Sequence, residues 1–357
     1  MAVETPVVDQ DKLMAFMGQV VGELGAAVNA GLIVIGDRLG LYRALAEKGA
    51  LSTAELAAAT ATSERYVREW PNAQAAGGYV DYDLGSQRYS LNPEQALALA
   101  DESSPAFVGG AFQLALGVLK ATPAIESAFR TGDGFAWHQQ DEDVPIGCER
   151  FFRPGYNANL LSSWLPALDG VMAKLEAGTT VADIGCGLGA TTPLMAAAFP
   201  SSTFTGFDYH QESIQLARQE TRAAGLDGRI QFEVATAAGF PGAGYDLVTS
   251  FDCLHDMGDP VGAARHVLEA LTPDGSWMVV EPLAGDSVQE NLNPLGRAYY
   301  AFSTLLCTPS SLSQEVGLAL GAQAGGARIR EVVMEAGFTR FRRVADSMIN
   351  AVYEVRP

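Results

Sequence analysis

A glycine-rich turn carries the residue types and spacing that most directly suggest chemistry in this chain. A predicted buried strand runs into Gly185, Gly187 and Gly189, and a predicted helix covers residues 191–198. Glycines at such a turn permit positive φ angles and let the backbone approach a ligand closely. The N–H groups that begin the following helix lack partners within it and point toward the same place. Asp183, two residues before the first glycine, adds an acceptor that suits a cationic ammonium group.

Two classes of cofactor fit this turn. Gly185, Gly187 and Ala190 satisfy the dinucleotide pattern G-x-G-x-x-G/A, which is typical of NAD sites. The pattern acid-x-Gly-x-Gly-x-Gly, which begins at Asp183 and ends at Gly189, resembles instead the S-adenosylmethionine loop of class I methyltransferases. The turn by itself is compatible with both cofactors, so other residues have to distinguish them.

Asp208 is placed where a bound nucleoside would need an acceptor. It ends the second predicted strand of this region, 23 residues after Gly185, and a carboxylate there can accept hydrogen bonds from both ribose hydroxyls. This position suits NAD and S-adenosylmethionine equally, and a turn-forming aspartate is the alternative interpretation. We therefore expect Asp208 and the adjoining Tyr209 to contact a nucleoside-containing cofactor of either class.

The segment 246–260 distinguishes the two cofactors. It includes Phe251 and the sequence Leu-His-Asp at 254–256, and it closely resembles the fourth-strand motif of class I methyltransferases. The Leu-His-Asp sequence is similar to that of the winged-helix small-molecule O-methyltransferases of plants and actinomycetes. In that family the histidine is the general base, and an acid on the next strand orients it. The resemblance implies S-adenosylmethionine as cofactor, Phe251 at its site, and His255 and Glu281 as catalytic residues.

Methyl transfer to a hydroxyl oxygen requires groups of these types. The hydroxyl loses its proton as the new bond forms, and a histidine can accept that proton while a buried carboxylate fixes its tautomer. Simpler interpretations stay open. His255 could be satisfied by the local backbone or only position an acceptor, and Glu281 could pair with an arginine. The reaction requires no metal, and the cysteines and histidines show no metal-ligand spacing.

Other residues are predicted to complete the pocket. Thr236 and Ala237 stand where class I methyltransferases often place an aspartate for the adenine amino group, so the resemblance is weaker there. Arg153 is expected to hold the cofactor carboxylate and Tyr156 to line the pocket; the alternative is an aromatic core seam with a solvated arginine. His138 is a second candidate for the base.

The elements that must position these residues alternate along the chain. Strands are predicted at 181–185, 203–208, 230–236, 246–251, 277–281, 340–345 and 351–355, and helices lie between most of them. Such alternation predicts a parallel sheet with helices on both faces, and the short link before the last strand predicts that this strand is antiparallel. We expect an α/β fold: a Rossmann-like, seven-stranded methyltransferase domain over 175–357, preceded by a helical linker over 105–174 that contributes to the substrate pocket.

The N-terminal region, 1–104, is predicted to be a mainly helical winged-helix domain. Ser52 and Glu55 form a capping-box pattern, a second helix begins near residue 64, and alternating residues over 79–91 predict a β-wing. Pro71 falls inside the second helix, where it either kinks that helix or marks a misplaced boundary. The resemblance to winged-helix methyltransferases implies that this domain forms a homodimer. Sequences over 291–294 and 311–316 resemble the actinobacterial, regulator-like members of the group.

Charge and composition limit the partners. The chain has a net charge of −19, and residues 1–100 contain seven Lys and Arg against twelve Asp and Glu. This negative charge opposes binding to nucleic acids and anionic membranes. The resemblance to the methyltransferases, together with the aromatic-rich linker, instead implies a small, apolar or aromatic acceptor molecule as the partner. The alternatives are a cofactor-sensing transcription regulator and an NAD-dependent oxidoreductase.

The sequence also predicts a cytoplasmic location. No basic leader or cleavage pattern opens the chain, and its four cysteines are widely spaced, which favours reduced thiols. The most apolar early run, 24–36, is too short to cross a bilayer and contains Asn29. We interpret this run as a core or dimer-interface helix.

Overall fold

A computed structural model describes residues 8–226 and 228–357. It divides into two compact units after Leu116, and α6 (Gly109–Lys120) runs through the point of division. The first seven residues of the predicted 1–104 domain lie outside the described residues.

The first unit is helical with one small hairpin. Its elements are α1 (Gln10–Arg38), α2 (Leu41–Lys48), α3 (Thr53–Thr60), α4 (Glu64–Ala76), β1 (Asp81–Asp83), β2 (Arg88–Ser90) and α5 (Pro93–Leu99). The predicted capping box is present, with Ser52 Oγ accepting from the Glu55 N–H and the Glu55 carboxylate accepting from the Ser52 N–H. Helix α4 continues through Pro71. Helices α3 and α4 and the antiparallel β1–β2 pair confirm the winged-helix prediction.

A compact core holds α1 against the winged-helix elements. Tyr42 packs edge-on against Trp70, with ring centroids 4.9 Å apart, and a side chain on Gly36 would collide with Trp70 at 2.4 Å. Buried Gln74 accepts from the Tyr42 hydroxyl at 2.7 Å and donates to Asn29 Oδ1 at 2.8 Å. Asn29, which interrupts the apolar run in the sequence, therefore satisfies a buried amide.

Helix α1 is longer and more exposed than the apolar run predicted. It has 29 residues, and by length and composition it could cross a membrane, with a mean hydropathy of 1.5 and only 17% of its most apolar window buried. One such helix near the start of a chain is a weak indication, because the core helix of a soluble protein and a signal sequence pass the same test. Its exposed apolar side chains are Leu13, Met14, Phe16, Met17, Val20, Val21, Leu24, Val28 and Ile35.

The second unit is built around a seven-stranded sheet. Its strands are β3 (Thr180–Ile184), β4 (Thr203–Asp208), β5 (Ile230–Val234), β6 (Tyr245–Phe251), β7 (Leu271–Pro282), β8 (Arg340–Asp346) and β9 (Asn350–Arg356). Their order across the sheet is β5-β4-β3-β6-β7-β9-β8. The pairs from β5 to β7 are parallel, and β9 is antiparallel to both of its neighbours. The predicted fold class and the antiparallel last strand are confirmed.

Helices flank this sheet. They are α7 (Thr122–Thr131), α8 (Asp143–Asn159), α9 (Leu165–Ala167), α10 (Val171–Ala177), α11 (Thr192–Ala198), α12 (Gln211–Ala223), α13 (Pro260–Ala270), α14 (Pro294–Phe302), α15 (Thr308–Leu312) and α16 (Gly325–Glu335). π-helical turns occupy Leu160–Trp164 and Ser303–Cys307, and 3₁₀ turns occupy Trp137–Gln139 and Leu254–Asp256.

Two apolar clusters cover the two faces of the sheet. Alternate side chains of one strand divide between them: Phe204 packs in one cluster and Phe207 in the other. The central strand β3 is buried on both faces, as parallel strands covered by helices on both sides are. This core fixes the carboxyl ends of β3, β4 and β6 relative to one another, and the turns that follow these ends carry most of the predicted site residues.

Candidate active site

A cavity of about 720 Å³ lies at the carboxyl ends of the central parallel strands. The residues that follow β3, β4, β5 and β6 line it together with residues of α8 and the segment after α15. The chain runs from β3 to β4 and β5 on one side of the sheet and then crosses to β6 on the other side of β3. Open α/β sheets bind ligands in the crevice at this reversal of strand order. The tertiary structure therefore brings most of the sequence-predicted residues to one place.

The glycine-rich turn forms one wall of this cavity. Gly185, Gly187 and Gly189 all have positive φ angles, of 68°, 52° and 79°. A side chain on Gly185 would meet Cys253 Sγ at 2.6 Å, whereas Gly187 faces open space. Gly185 and Gly187 line the cavity, and Gly189 instead packs against Phe232. The turn thus presents bare backbone to a ligand, as its sequence predicts.

Asp208 lies beside this turn at the end of β4. Its two carboxylate oxygens accept the Gly187 N–H at 2.9 Å and the His210 N–H at 2.8 Å. Burial raises the pKa of Asp208, and these two backbone hydrogen bonds oppose that shift. Each oxygen keeps a further acceptor site. Asp208 and Tyr209 both line the cavity, so the carboxylate is available to a ligand that carries hydroxyl groups.

Asp183 lies away from the cavity. Its carboxylate is buried and accepts hydrogen bonds from the hydroxyls of Thr191, Thr192 and Thr249 at 2.8, 2.6 and 2.9 Å. Burial raises its pKa, and these three hydrogen bonds oppose the shift. In the structure Asp183 ties the start of α11 and strand β6 to the turn. Contact between Asp183 and an ammonium group stays a prediction.

Four further predicted residues line the cavity, namely Tyr156, Thr236, Ala237 and Phe251. The Tyr156 ring packs against Phe251 with centroids 5.2 Å apart. Arg153 does not line it: its guanidinium pairs with Glu149, and its side chain is 44% exposed. The assignment of Arg153 to the cofactor carboxylate stays a prediction for which the structure supplies no contact.

His255 and Glu281 form a buried pair. His255 Nδ1 lies 2.6 Å from Glu281 Oε2, and Glu281 Oε1 accepts the Leu254 N–H at 2.9 Å. Burial lowers the pKa of His255, but the Glu281 carboxylate and Cys307 outweigh it and raise this pKa well above its ordinary value. Among the described residues, the glutamate therefore contacts the histidine and forms no ion pair with an arginine. Asp256 lines the cavity, whereas His255, Glu281 and the exposed His138 are not among its lining residues.

Two aspartates in the cavity wall carry no role in the sequence-based prediction. Asp252 has a φ of 50°, accepts from the Tyr156 hydroxyl and from Asn350 Nδ2 at 2.7 Å each, and has a pKa of about 8. Burial is the main cause of this raised pKa, and the charge of Glu281 adds to it. Burial also raises the pKa of Asp256 to about 7. Both lie in the segment 246–260, so only their acidic type and their nearness to His255 could have indicated them.

Asp252→Asn is expected to stabilise the protein, increasingly so as the pH rises. A carboxyl whose pKa folding raises destabilises the folded state above its unfolded pKa, and the penalty grows until the pH passes the folded value of about 8. Asparagine has the same shape, tolerates a positive φ and does not ionise. We expect its advantage in the free energy of unfolding to grow by about 2–3 kcal/mol between pH 5 and pH 8, measured by urea denaturation.

Asp133→Asn is the matched control, because Asp133 is exposed outside the cavity. Its free energy of unfolding should follow that of the unmodified protein at both pH values. If the free energies of unfolding of Asp252→Asn and of the unmodified protein differ by the same amount across this pH range, folding does not raise the pKa of Asp252.

Comparisons with known proteins divide the chain in the same way. Residues 27–101 match the family described as the Rv2258c-like winged HTH domain. Residues 175–317 match the family described as a methyltransferase domain. This second match covers the glycine-rich turn, Asp208, His255 and Glu281. The chain therefore contains a methyltransferase domain and an N-terminal winged helix-turn-helix domain.

Individual relatives are distant. The 27-O-demethylrifamycin SV methyltransferase of Amycolatopsis mediterranei (strain S699) is 29% identical over 142 residues, which span 38% of this chain and 52% of the relative. The chain thus spans about half of that protein. The fold is similar along nearly the whole chain to the mitomycin 7-O-methyltransferase MmcR (TM-score 0.69, 21% identity, 98% of this chain and 100% of that one). Human N-acetylserotonin methyltransferase in complex with SAM is also similar (TM-score 0.69, 17% identity, 99% of each chain).

Proposed function

We propose that this chain, which joins a winged helix-turn-helix domain to a methyltransferase domain, transfers the methyl group of S-adenosyl-L-methionine to a hydroxyl oxygen of a small molecule. The observation that carries the proposal is the single cavity at the carboxyl ends of the parallel strands. The glycine-rich turn, Asp208 and the residues on both sides of His255 meet around it. Solved structures similar along nearly the whole chain include a mitomycin 7-O-methyltransferase and an N-acetylserotonin methyltransferase in complex with SAM.

The residues present fit this cofactor. Open space in front of Gly187 leaves room that any side chain there would fill. Asp208 has spare acceptor sites for the ribose hydroxyls, Thr236 and Ala237 line the part assigned to adenine, and Phe251 lines the same cavity. S-adenosylmethionine, when bound, supplies an electrophilic methyl group on a sulfonium. Binding of S-adenosylmethionine in this cavity does not require the close phosphate contacts that binding of a dinucleotide requires.

The catalytic task of the chain is then to position the acceptor and to accept a proton. His255 would accept the proton of the acceptor hydroxyl, while bound S-adenosylmethionine would supply the methyl group and leave as the neutral thioether S-adenosylhomocysteine. Glu281 holds His255 Nδ1 and stabilises the imidazolium that results. Asp256 follows His255 directly and faces the acceptor space, so an acceptor held against this wall lies next to the buried pair.

Calorimetric titration tests the cofactor assignment. We expect S-adenosylhomocysteine to bind and NADH not to bind. Tight NADH binding without S-adenosylhomocysteine binding would instead support an NAD-dependent oxidoreductase. Incubation of a metabolite extract with methyl-labelled S-adenosylmethionine then identifies the acceptor, and the label should appear on an oxygen.

We further propose that the protein is a cytoplasmic homodimer held by α1. Nine large apolar side chains are exposed along this helix, which is unusual for a monomer. Helix α4 carries two exposed ion pairs, Arg65–Glu69 and Arg68–Glu64, with nitrogen–oxygen distances of 2.7 and 2.6 Å. Each arginine is therefore neutralised by a glutamate of its own helix. This arrangement favours a packing role over binding to DNA phosphates. All four cysteines are unpaired, as in reduced cytoplasmic proteins.

Val21→Glu is expected to dissociate this dimer. Val21 is 65% exposed on α1, and a charge in the middle of an apolar interface costs several kcal/mol if it stays unpaired. Light scattering after size-exclusion chromatography should report the mass of two chains for the unmodified protein and of one chain for the variant. Gln19→Glu, which adds the same charge at an exposed polar position of the same helix, should remain dimeric. A monomeric unmodified protein would contradict the proposal.

A further inference from the structure

The cavity wall has an unbalanced set of charges. Its ionisable carboxyls come from six residues: Glu149, Asp208, Asp252, Asp256, Asp259 and Glu315. Among the described residues that line the cavity, none is a lysine, arginine or histidine. The cavity therefore offers no cationic side chain to an anionic acceptor, although the raised pKa values of Asp252 and Asp256, about 8 and about 7, reduce its negative charge near neutral pH.

Most of these carboxylates have partners among the described residues; for the exposed Glu315 and the partly buried Asp256, those residues supply no partner to the carboxyl group. Asp208 accepts two backbone N–H groups, Asp252 accepts from Tyr156 and Asn350, and Asp259 caps α13 through the Gly262 N–H. The Asp256 carboxyl accepts no hydrogen bond from any other residue in the described part of the chain, and it lines the cavity. A partly buried carboxyl without a donor is costly unless a ligand supplies one.

The rest of the wall suits an apolar body. Trp137, Phe152, Tyr156, Tyr209 and Phe251 line the same cavity. Aromatic faces attract cations as well as apolar rings, so they add to the effect of the carboxylates instead of opposing it. The wall thus combines an apolar enclosure with acceptors for a positively charged donor.

The cofactor does not balance this charge. S-adenosylmethionine carries a sulfonium, an ammonium and a carboxylate, so its net charge is +1, and at pH 8 Asp208, Asp256 and Asp259 together carry more negative charge than that. The net charge of −19 on the whole chain acts in the same direction and enriches cations near the surface. A second positive group in the cavity would relieve the remaining repulsion.

We propose that the acceptor is a cation: an aromatic or otherwise apolar molecule that carries a basic amine, with the ammonium group bound by Asp256. This inference rests on the proposed function for the identity of the reaction but concerns the charge of the acceptor alone. The proposal identifies Asp256 as the residue that determines the preference for positively charged acceptors. Neutral molecules bind more weakly, and carboxylates of the same size are excluded by the acidic wall.

A charge-balanced library tests the proposal. Equal numbers of aromatic alkylamines, neutral alcohols and carboxylic acids of matched size, with tyramine, tyrosol and 3-(4-hydroxyphenyl)propionate as one such set, are screened by ligand-observed NMR. The protein is titrated both with and without saturating S-adenosylhomocysteine. We expect the amines to bind at least tenfold more tightly than the acids. Acids that bind as tightly as the amines, or a library in which no amine binds, would overturn the proposal.

A substitution isolates Asp256. Asp256→Asn should reduce the preference for amines over alcohols about tenfold at pH 8 and leave S-adenosylhomocysteine binding within twofold, which also confirms folding. Glu335→Gln, which removes the same charge from an exposed position of α16, should keep the preference. The preference of the unmodified protein should also grow from pH 6 to pH 8, because Asp256 ionises near pH 7 while an alkylammonium stays charged.

The proposed methyltransferase function and the inference that the acceptor is a cation can be refuted separately. Absence of S-adenosylhomocysteine binding refutes the proposed function, whereas the titrations without it still measure the preference for charge. An Asp256→Asn variant that keeps the full preference for amines refutes the inference even if the protein is a methyltransferase.

Discussion

His255→Ala lowers turnover by about 10²-fold or more while the affinity for S-adenosylhomocysteine stays within about twofold. The expected loss is that of a positioned general base. His255 is buried, and Glu281 holds its Nδ1 at 2.6 Å, so no water replaces it in the same geometry. Because the histidine is not among the residues that line the cavity, its removal should leave cofactor binding nearly unchanged. Steady-state kinetics and calorimetry measure the two effects separately.

The control and the pH profile make this result specific. His138→Ala removes an exposed histidine and should have little effect on turnover. As a base, His255 acts only when it is deprotonated, and its pKa lies well above the ordinary value. Turnover of the unmodified protein should therefore rise with pH beyond 6.5, up to about tenfold per unit, and His255→Ala should lose this dependence. A variant with full turnover would remove His255 as the base and leave Asp256 as the nearest candidate.

Asp208→Ala has the opposite expected result: the affinity for S-adenosylhomocysteine falls by about 10²-fold. Two hydrogen bonds from ribose hydroxyls to a carboxylate contribute about 1.5 kcal/mol or more each, and a loss near 3 kcal/mol corresponds to about 10²-fold in affinity. The substitution also leaves the N–H groups of Gly187 and His210 without their acceptor, which loosens the glycine-rich turn. Calorimetry measures the affinity directly.

Asp208→Asn provides the comparison for this second prediction. Its amide keeps one acceptor oxygen, so we expect a loss of affinity intermediate between those of the alanine variant and the unmodified protein. Turnover at saturating S-adenosylmethionine should recover most of its normal value in the asparagine variant. If Asp208→Ala instead binds the cofactor normally and loses turnover, the carboxylate acts on the acceptor and our assignment of the ribose site is wrong.

Local sequence determined the architecture and the cofactor turn. The alternation of apolar strands and helices predicted a parallel sheet, and the structure confirms it with seven strands. Gly185 and Gly187 were predicted to expose backbone, because positive φ angles and the absence of a side chain are properties of the residue itself. Asp208 ends its strand as predicted and accepts the Gly187 N–H of the turn, and its contact with a cofactor stays a prediction.

Tertiary packing decided which acidic side chains face the cavity. Asp183 was expected to face a ligand, but hydroxyls of Thr191, Thr192 and Thr249 surround it. The sequence contains all three threonines, yet Thr249 lies 66 residues away and only the pairing of β3 with β6 brings it close. Asp252 and Asp256 were not predicted; the orientation of Asp252 depends on Tyr156 and Asn350, each almost a hundred residues away in the chain.

The glycine-rich turn and the carboxylates near it therefore differ in how far the local sequence determines their structure. Backbone conformation at a turn depends on a few adjacent residues, so the sequence alone predicted where this protein can hold a cofactor. The direction and charge state of a carboxylate depend on burial and on donors from distant elements. Only the folded chain could decide which carboxyls line the cavity and that, among the described residues, no other residue donates a hydrogen bond to Asp256.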